Sequence, residues 1–230
     1  MTRLPLLALA ALLAASPLAA QKRPVRKAPK PKPAAAATPA PETAPAPAPA
    51  PEPPPAPKPK PRVRLDTSYG PVVVELEPDV APGTVANFLR YVQEGHYPGT
   101  IFHRVIPDFM VQGGGYTEDL QEKPRHPGIR NEAREAAKAG LKNVRGTIAM
   151  ARTEDPHSAS SEFYINLVDN PRLDPGGASA DGYCAFGRVV EGMEAVDRIA
   201  KVRTVWRKGM QDVPDYAVRL KGATLLPAAK

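Results

Sequence analysis

Between Tyr69-Gly70-Pro71 and Pro78, Val72, Val74 and Leu76 alternate with Val73, Glu75 and Glu77, a period of two that predicts a half-buried strand. The period then changes. Pro82 and Thr84 open a stretch in which Val85, Phe88, Leu89 and Val92 recur at i, i+3, i+4 and i+7 before Gly95, which predicts an amphipathic helix. Short apolar runs follow at Ile101 to Val105, Phe109 to Gln112, Gly146 to Ala151, Phe163 to Leu167, Cys184 to Val189 and Tyr216 to Leu225. Met193, Val196, Ile199 and Ala200 fall at helical spacing, and Glu132 to Ala139 suits a further short helix. Many short strands with two well-spaced helices predict a mainly β fold, a closed antiparallel barrel capped by those helices.

The first 62 of the 230 residues obey no such pattern. Arg3, the apolar run Leu4 to Ala15 and Ser16-Pro17-Leu18-Ala19-Ala20 have the three-part order of a secretory signal peptide, with cleavage expected after Ala20. An uncleaved, signal-anchored form is the alternative. Residues 21–62 hold 16 prolines and 11 alanines. Proline lacks the N–H donor and has a fixed φ, so this arm is expected to be a disordered, extended polyproline II spacer of at most roughly 130 Å. Residues 63–230 remain for one folded domain.

Charge separates the same way. The arm has nine basic and two acidic residues, whereas residues 63–230 have 21 basic and 22 acidic. A near-neutral domain gives no reason to expect nucleic-acid binding, while the basic arm suits weak contact with an anionic envelope surface. The single Cys184 excludes an internal disulfide and a CxxC site. His96, His103, His126 and His157 match no common zinc spacing, so neither metal nor cofactor is expected. Ser158, Ser160 and Ser161 near His157 lack the glycines of a nucleophile elbow, which argues against a hydrolase.

Four blocks carry candidate chemistry: Phe102-His103-Arg104-Val105-Ile106-Pro107-Asp108-Phe109-Met110-Val111-Gln112-Gly113-Gly114, then Gly146 to Thr153, then Ser161-Glu162-Phe163-Tyr164-Ile165-Asn166, and finally Leu173-Asp174 with Tyr183 to Gly187 and Val189 to Met193. In type and order they resemble the signature of cyclophilins, peptidyl-prolyl cis-trans isomerases, over about residues 63–226, and most closely secreted bacterial members. The resemblance implies an eight-stranded barrel. It also implies an apolar pocket of Phe109, Met110, Tyr164 and Leu173, with Gln112 steering Arg104 and the substrate carbonyl. The backbone around Ala151 and Arg152 would pair with the substrate, and Glu162 and Tyr183 would complete the binding surface.

The residue types suit the reaction independently. Rotation about X-Pro faces a barrier of about 18–20 kcal/mol between ground states about 0.5–1 kcal/mol apart, so no nucleophile, metal or cofactor is required. A guanidinium that donates to the prolyl nitrogen only in the twisted amide lowers that barrier, and Arg104 is the candidate. His103 is expected on the opposite strand face, in a structural role.

Three positions depart from the family pattern. Glu162 stands where glutamine is usual and would attenuate catalysis if it paired with Arg104. Tyr164 replaces a phenylalanine and adds a hydroxyl to an apolar wall, and Arg172 replaces an aromatic residue associated with cyclosporin contact, which argues against strong drug sensitivity. The expected function is an exported, periplasmic or secreted isomerase, a monomer acting on proline-containing polypeptides. The alternative is a proline-peptide binding module or chaperone with weak or no catalysis. The arm's Ala-Pro units are also potential ligands joined to the same chain, which predicts weak self-occupancy of the site.

Overall fold

The computed structural model describes residues 60–227. The expected signal peptide and the arm as far as residue 59 lie outside the described residues. Eight strands close one antiparallel barrel: β1 (Arg62–Thr67), β10 (Val218–Leu225), β3 (Thr100–Ile106), β4 (Met110–Thr117), β6 (Phe163–Asn166), β5 (Thr147–Met150), β7 (Ala185–Glu191) and β2 (Gly70–Leu76), in that order around the wall. Inward positions of these strands, among them Val63, Leu65, Val74, Leu76, Phe102, Val105, Val111, Ile148, Phe163, Ile165, Phe186 and Leu220, form one buried core.

Helix α1 (Pro82–Gln93) covers one opening, burying Val85, Phe88, Tyr91 and Val92. The Phe88 ring meets Tyr97 at 5.3 Å, Phe163 at 5.7 Å and Phe186 at 5.2 Å, so the helix is keyed into the barrel by an aromatic cluster. Ala81 precedes it and supplies no side-chain cap. The carboxylate of Glu132 takes that place from 48 residues away, accepting hydrogen bonds from Thr84 N (2.8 Å) and Thr84 Oγ1 (2.7 Å), and from Gly83 N (3.0 Å). Its backbone also opens α2 (Ala133–Lys138), the short helix expected in this region, and α3 (Met193–Ile199) matches the second well-spaced helical pattern.

Three features differ from the sequence reading. Strand β1 starts at Arg62 and packs Val63 and Leu65 inward, although two apolar positions beside a proline-rich arm gave no strand signal. Strand β2 is covered on both faces: Val73 is buried, and Glu77 just beyond its end is buried with ion pairs to Lys60 (2.6 Å) and Arg188 (3.5 Å). A separate hairpin, β8 (Thr204–Arg207) and β9 (Met210–Pro214), turns through Lys208 and Gly209 at φ 48° and 84° and packs Val213 on Ile101 and Leu120.

Candidate active site

The site is built on β3, β4 and β6. Asp108, at φ 58°, and Phe109 join β3 to β4, and this connection is tied down by Asn170 Nδ2 and Leu167 N, both donating to the Phe109 carbonyl (2.9 and 3.0 Å). Residues 160–161, which lead into β6, are fixed by Asn87 Nδ2 donating to Ser160 O (2.6 Å) and Tyr97 Oη donating to Ser161 O (3.1 Å). With both edges held, Arg104 on β3 lies directly opposite Gln112 on β4, and Gln112 opposite Tyr164 on β6.

A hollow of about 160 Å³ opens over these strands, lined by Arg104, Phe109, Met110, Gln112, Ala151, Arg152, Tyr164, Leu173 and Tyr183. Met110 and Tyr164 form its buried wall, and Leu173 comes from the turn Pro171–Leu173. Arg104 is half-buried and, among the described residues, has no ion pair or side-chain hydrogen bond, so its guanidinium is free to act on a ligand. The backbone N–H and C=O of Arg152 are likewise without a partner among the described residues. Glu162 lines a second hollow of about 190 Å³ that shares Gln112, Ala151 and Arg152 with the first. Sequence-derived candidates separated by up to 79 residues are therefore brought together, with Glu162 next door.

This constellation belongs to a barrel whose sequence also matches a known family. The profile described as "Cyclophilin type peptidyl-prolyl cis-trans isomerase/CLD" matches residues 62–224. The chain belongs to the cyclophilin family. It is 51% identical over 166 residues to a peptidyl-prolyl cis-trans isomerase of Streptomyces antibioticus, a match covering 71% of this chain and 98% of that one. Peptidyl-prolyl cis-trans isomerase B of Escherichia coli (strain K12) is 49% identical over 166 residues, with the same coverage. Among solved structures, a Cryptosporidium parvum cyclophilin type isomerase matches with a TM-score of 0.56 and 25% identity, covering 73% of this chain and 98% of that chain. The same protein solved in the presence of the dipeptide Ala-Pro matches with a TM-score of 0.55 and 25% identity, over 72% of this chain and 99% of that one. The chain is accordingly a peptidyl-prolyl cis-trans isomerase.

Within this cyclophilin the departures from the family pattern resolve differently from their sequence reading. Glu162 forms no ion pair with Arg104; its Oε2 accepts from Gln112 Nε2 at 2.9 Å and lies 3.3 Å from His103 Nε2. Burial opposes the charge of Glu162, but the hydrogen bond and charge of His103, the Gln112 hydrogen bond and Arg125 outweigh it, so the carboxyl sits below its ordinary value. His103, expected on the strand face opposite Arg104 in a structural role, is buried and reaches the neighbouring hollow's carboxylate from the point where the β3–β4 register shifts between Phe102 and Arg104. The Tyr164 hydroxyl does not make the wall polar: it donates to Asn143 Oδ1 at 2.8 Å. Burial, the larger cause, and the nearby Tyr183 raise its pKa well above the phenol value. Arg172 is exposed and outside the hollow's lining.

Several polar residues that support the site went unread in the sequence. Asn143 Nδ2 donates to Asp174 Oδ1 (2.9 Å) and Tyr183 O (3.1 Å), tying three separate segments around the Tyr164 hydroxyl. Arg152 contributes its side chain as well as its backbone. The guanidinium lies 4.4 Å from the Tyr183 ring centroid, with Nε donating to Gly182 O (3.0 Å) and Nη2 to Ser179 Oγ (2.9 Å), so it braces the loop that carries Tyr183. Asn166, a buried amide in the otherwise apolar run Phe163 to Leu167, was the available signal for such a network.

Proposed function

We propose that this isomerase acts on X-Pro bonds of exported polypeptides, with Arg104 as the donor to the prolyl nitrogen and the hollow of Phe109, Met110, Tyr164 and Leu173 as the seat of the pyrrolidine ring. The observation that carries the reading is a guanidinium with no ion pair or side-chain hydrogen bond among the described residues, at the edge of a hollow that Phe109, Met110 and Leu173 help to wall. Seating the ring in that hollow leaves the residue before proline to rotate, while the N–H and C=O of Arg152, without a partner among the described residues, pair with the extended chain. As the amide twists, its nitrogen loses conjugation and gains a lone pair. The Arg104 donor then meets an acceptor that neither planar ground state offers, which is the differential binding that lowers a barrier. Gln112, opposite Arg104, orients the guanidinium and the substrate carbonyl.

Export is supported by the leader of residues 1–20, and the basic arm favours weak contact with an anionic envelope surface. The test has two parts. Catalytic amounts of the protein should accelerate the proline-limited refolding of an exported protein, and cell fractionation should recover the chain outside the cytoplasm with Gln21 as its first residue. Unchanged refolding would reduce the chain to a binding module for such clients, and recovery in the cytoplasm would remove the exported assignment.

A further inference from the structure

We propose that Glu162 is a positioning residue for the isomerisation, held by His103 and acting through Gln112, whose amide it fixes with the NH2 toward Glu162 and the carbonyl toward Arg104. The inference rests on the reading of Arg104 as the donor to the prolyl nitrogen.

A glutamine amide presents two donors on one side and an acceptor on the other, and either can face a neighbour that both donates and accepts. An ionised carboxylate only accepts. Gln112 therefore approaches Glu162 Oε2, at 2.9 Å, through Nε2, and Oε1 is left on the opposite side of the amide. Gln112 forms part of the wall shared by the two hollows: Glu162 lies in one, and Arg104, its direct cross-strand partner, lines the other. Orienting the amide toward Glu162 thus offers an acceptor to the guanidinium that must be aimed.

Glu162 is itself held on three sides. Its side chain lies over Gly115, where a Cβ would come 2.5 Å from Cγ, so only glycine leaves it room. His103 Nε2 stands 3.3 Å from the same Oε2 that takes the Gln112 bond. Among the described residues His103 Nδ1 is buried without a partner, so the ring's one polar contact is the one Nε2 makes with Glu162. The His103 ring is packed against Tyr116 at 4.7 Å, which fixes its plane. Arg125, paired with Glu122 at 2.6 Å, lines the same hollow and adds a favourable charge.

The test is kcat and KM for an Ala-Pro peptide, measured by NMR exchange on the full chain. Glu162→Ala should lower kcat by about three- to tenfold with KM within about twofold, as expected when a reacting group is left loosely aimed. Glu162→Gln still has a carbonyl to accept the Gln112 donor and should keep kcat within roughly a factor of two of the parent. In a Gln112→Ala background, Glu162→Ala should add no further loss, a result that a merely structural role would not produce. Should Glu162→Ala prove unstable, the cycle is run with Glu162→Leu, which fills the space and accepts nothing. Multiplying losses in the double variant, unchanged kcat in Glu162→Ala, or a Glu162→Gln variant as slow as Glu162→Ala would each overturn the proposal. Loss of kcat in Arg104→Ala beside an unaffected Glu162→Ala would isolate the failure here; unaltered kcat in Arg104→Ala would overturn the underlying reading.

Discussion

Glu132 and Glu162 are both carboxylates withdrawn from solvent, and both are engaged by hydrogen bonds, but their partners differ in kind. Glu132 accepts from the main chain of Gly83 and Thr84, donors at the start of α1 with no other partner among the described residues, and from the Thr84 hydroxyl, which also contacts Cys184 Sγ at 3.6 Å. Glu162 accepts from Gln112, with His103 beside it, side chains at the edge of the hollow that holds Arg104. A carboxylate at a helix N-terminus satisfies orphan N–H groups and complements the helix dipole, which is a contribution to stability. A carboxylate bound to movable side chains settles which way those side chains point. Burial alone does not separate the two roles; the identity of the donors does.

The sharpest way to break this contrast is to remove the helix-side carboxylate. Glu132→Ala should cost about 2–4 kcal/mol of stability, since it strands buried donors at the start of α1. That corresponds to a fall in Tm on the order of 10 °C, readable by calorimetry. kcat/KM measured well below the new Tm should stay within about twofold of the parent, because the hollow is lined from other elements. A large loss of kcat in a still-folded variant would show that the two regions are not separate.

Tyr164→Phe probes the boundary between them. Its hydroxyl donates to Asn143, away from the hollow, so its removal should cost about 1 kcal/mol of stability and leave KM for an Ala-Pro peptide unaltered. A clear fall in KM would return the hydroxyl to the binding wall.

A smaller effect distinguishes Glu162 by its titration. Its folded pKa lies below the ordinary carboxylate value, so it binds a proton more readily in the unfolded chain than in the folded one. Its contribution to stability is complete above the unfolded pKa and is lost as pH falls through the folded one. Thermal unfolding from pH 6 downward should therefore show the parent losing stability more steeply than Glu162→Gln below about pH 4.5. Parallel curves would remove the charge-favouring role of His103 and Gln112.

The smallest expected effect concerns the arm. If its Ala-Pro units visit the hollow, replacing Pro29, Pro41, Pro45, Pro47, Pro49, Pro51 and Pro57 by alanine should lower the apparent KM for added peptide by roughly twofold, given millimolar effective concentrations. Equal KM values would exclude self-occupancy.

Most of the barrel was legible because its strands carry continuous apolar runs and its helices a clean 3.6 period. Strand β1 was not, since only Val63 and Leu65 signal it and the preceding prolines mask its start. The β8–β9 hairpin was missed for a different reason: its burial rests on little more than Met210 and Val213, and its Trp206 faces solvent. The hollow was readable from motif blocks that fix side chains to known strand positions, as with Arg104, Met110 and Gln112. What escaped was contact created by a local register shift. His103 and Glu162 are 59 residues apart, and strand alternation puts His103 on the face away from Arg104 until the shift between Phe102 and Arg104 turns it toward β6. The bracing guanidinium of Arg152 was hidden similarly, because its partners Ser179 and Gly182 lie in a loop with no periodicity.

The central claim is that Arg104 serves the twisted amide and not the bound peptide. Its most direct test is to measure, by NMR on one Ala-Pro peptide, both the saturating cis-trans exchange rate and the dissociation constant for the parent and Arg104→Ala. The account predicts an exchange rate lower by about 10²–10³-fold with a dissociation constant changed by less than about threefold. Exchange that persists, or catalysis and affinity falling in equal proportion, would contradict it.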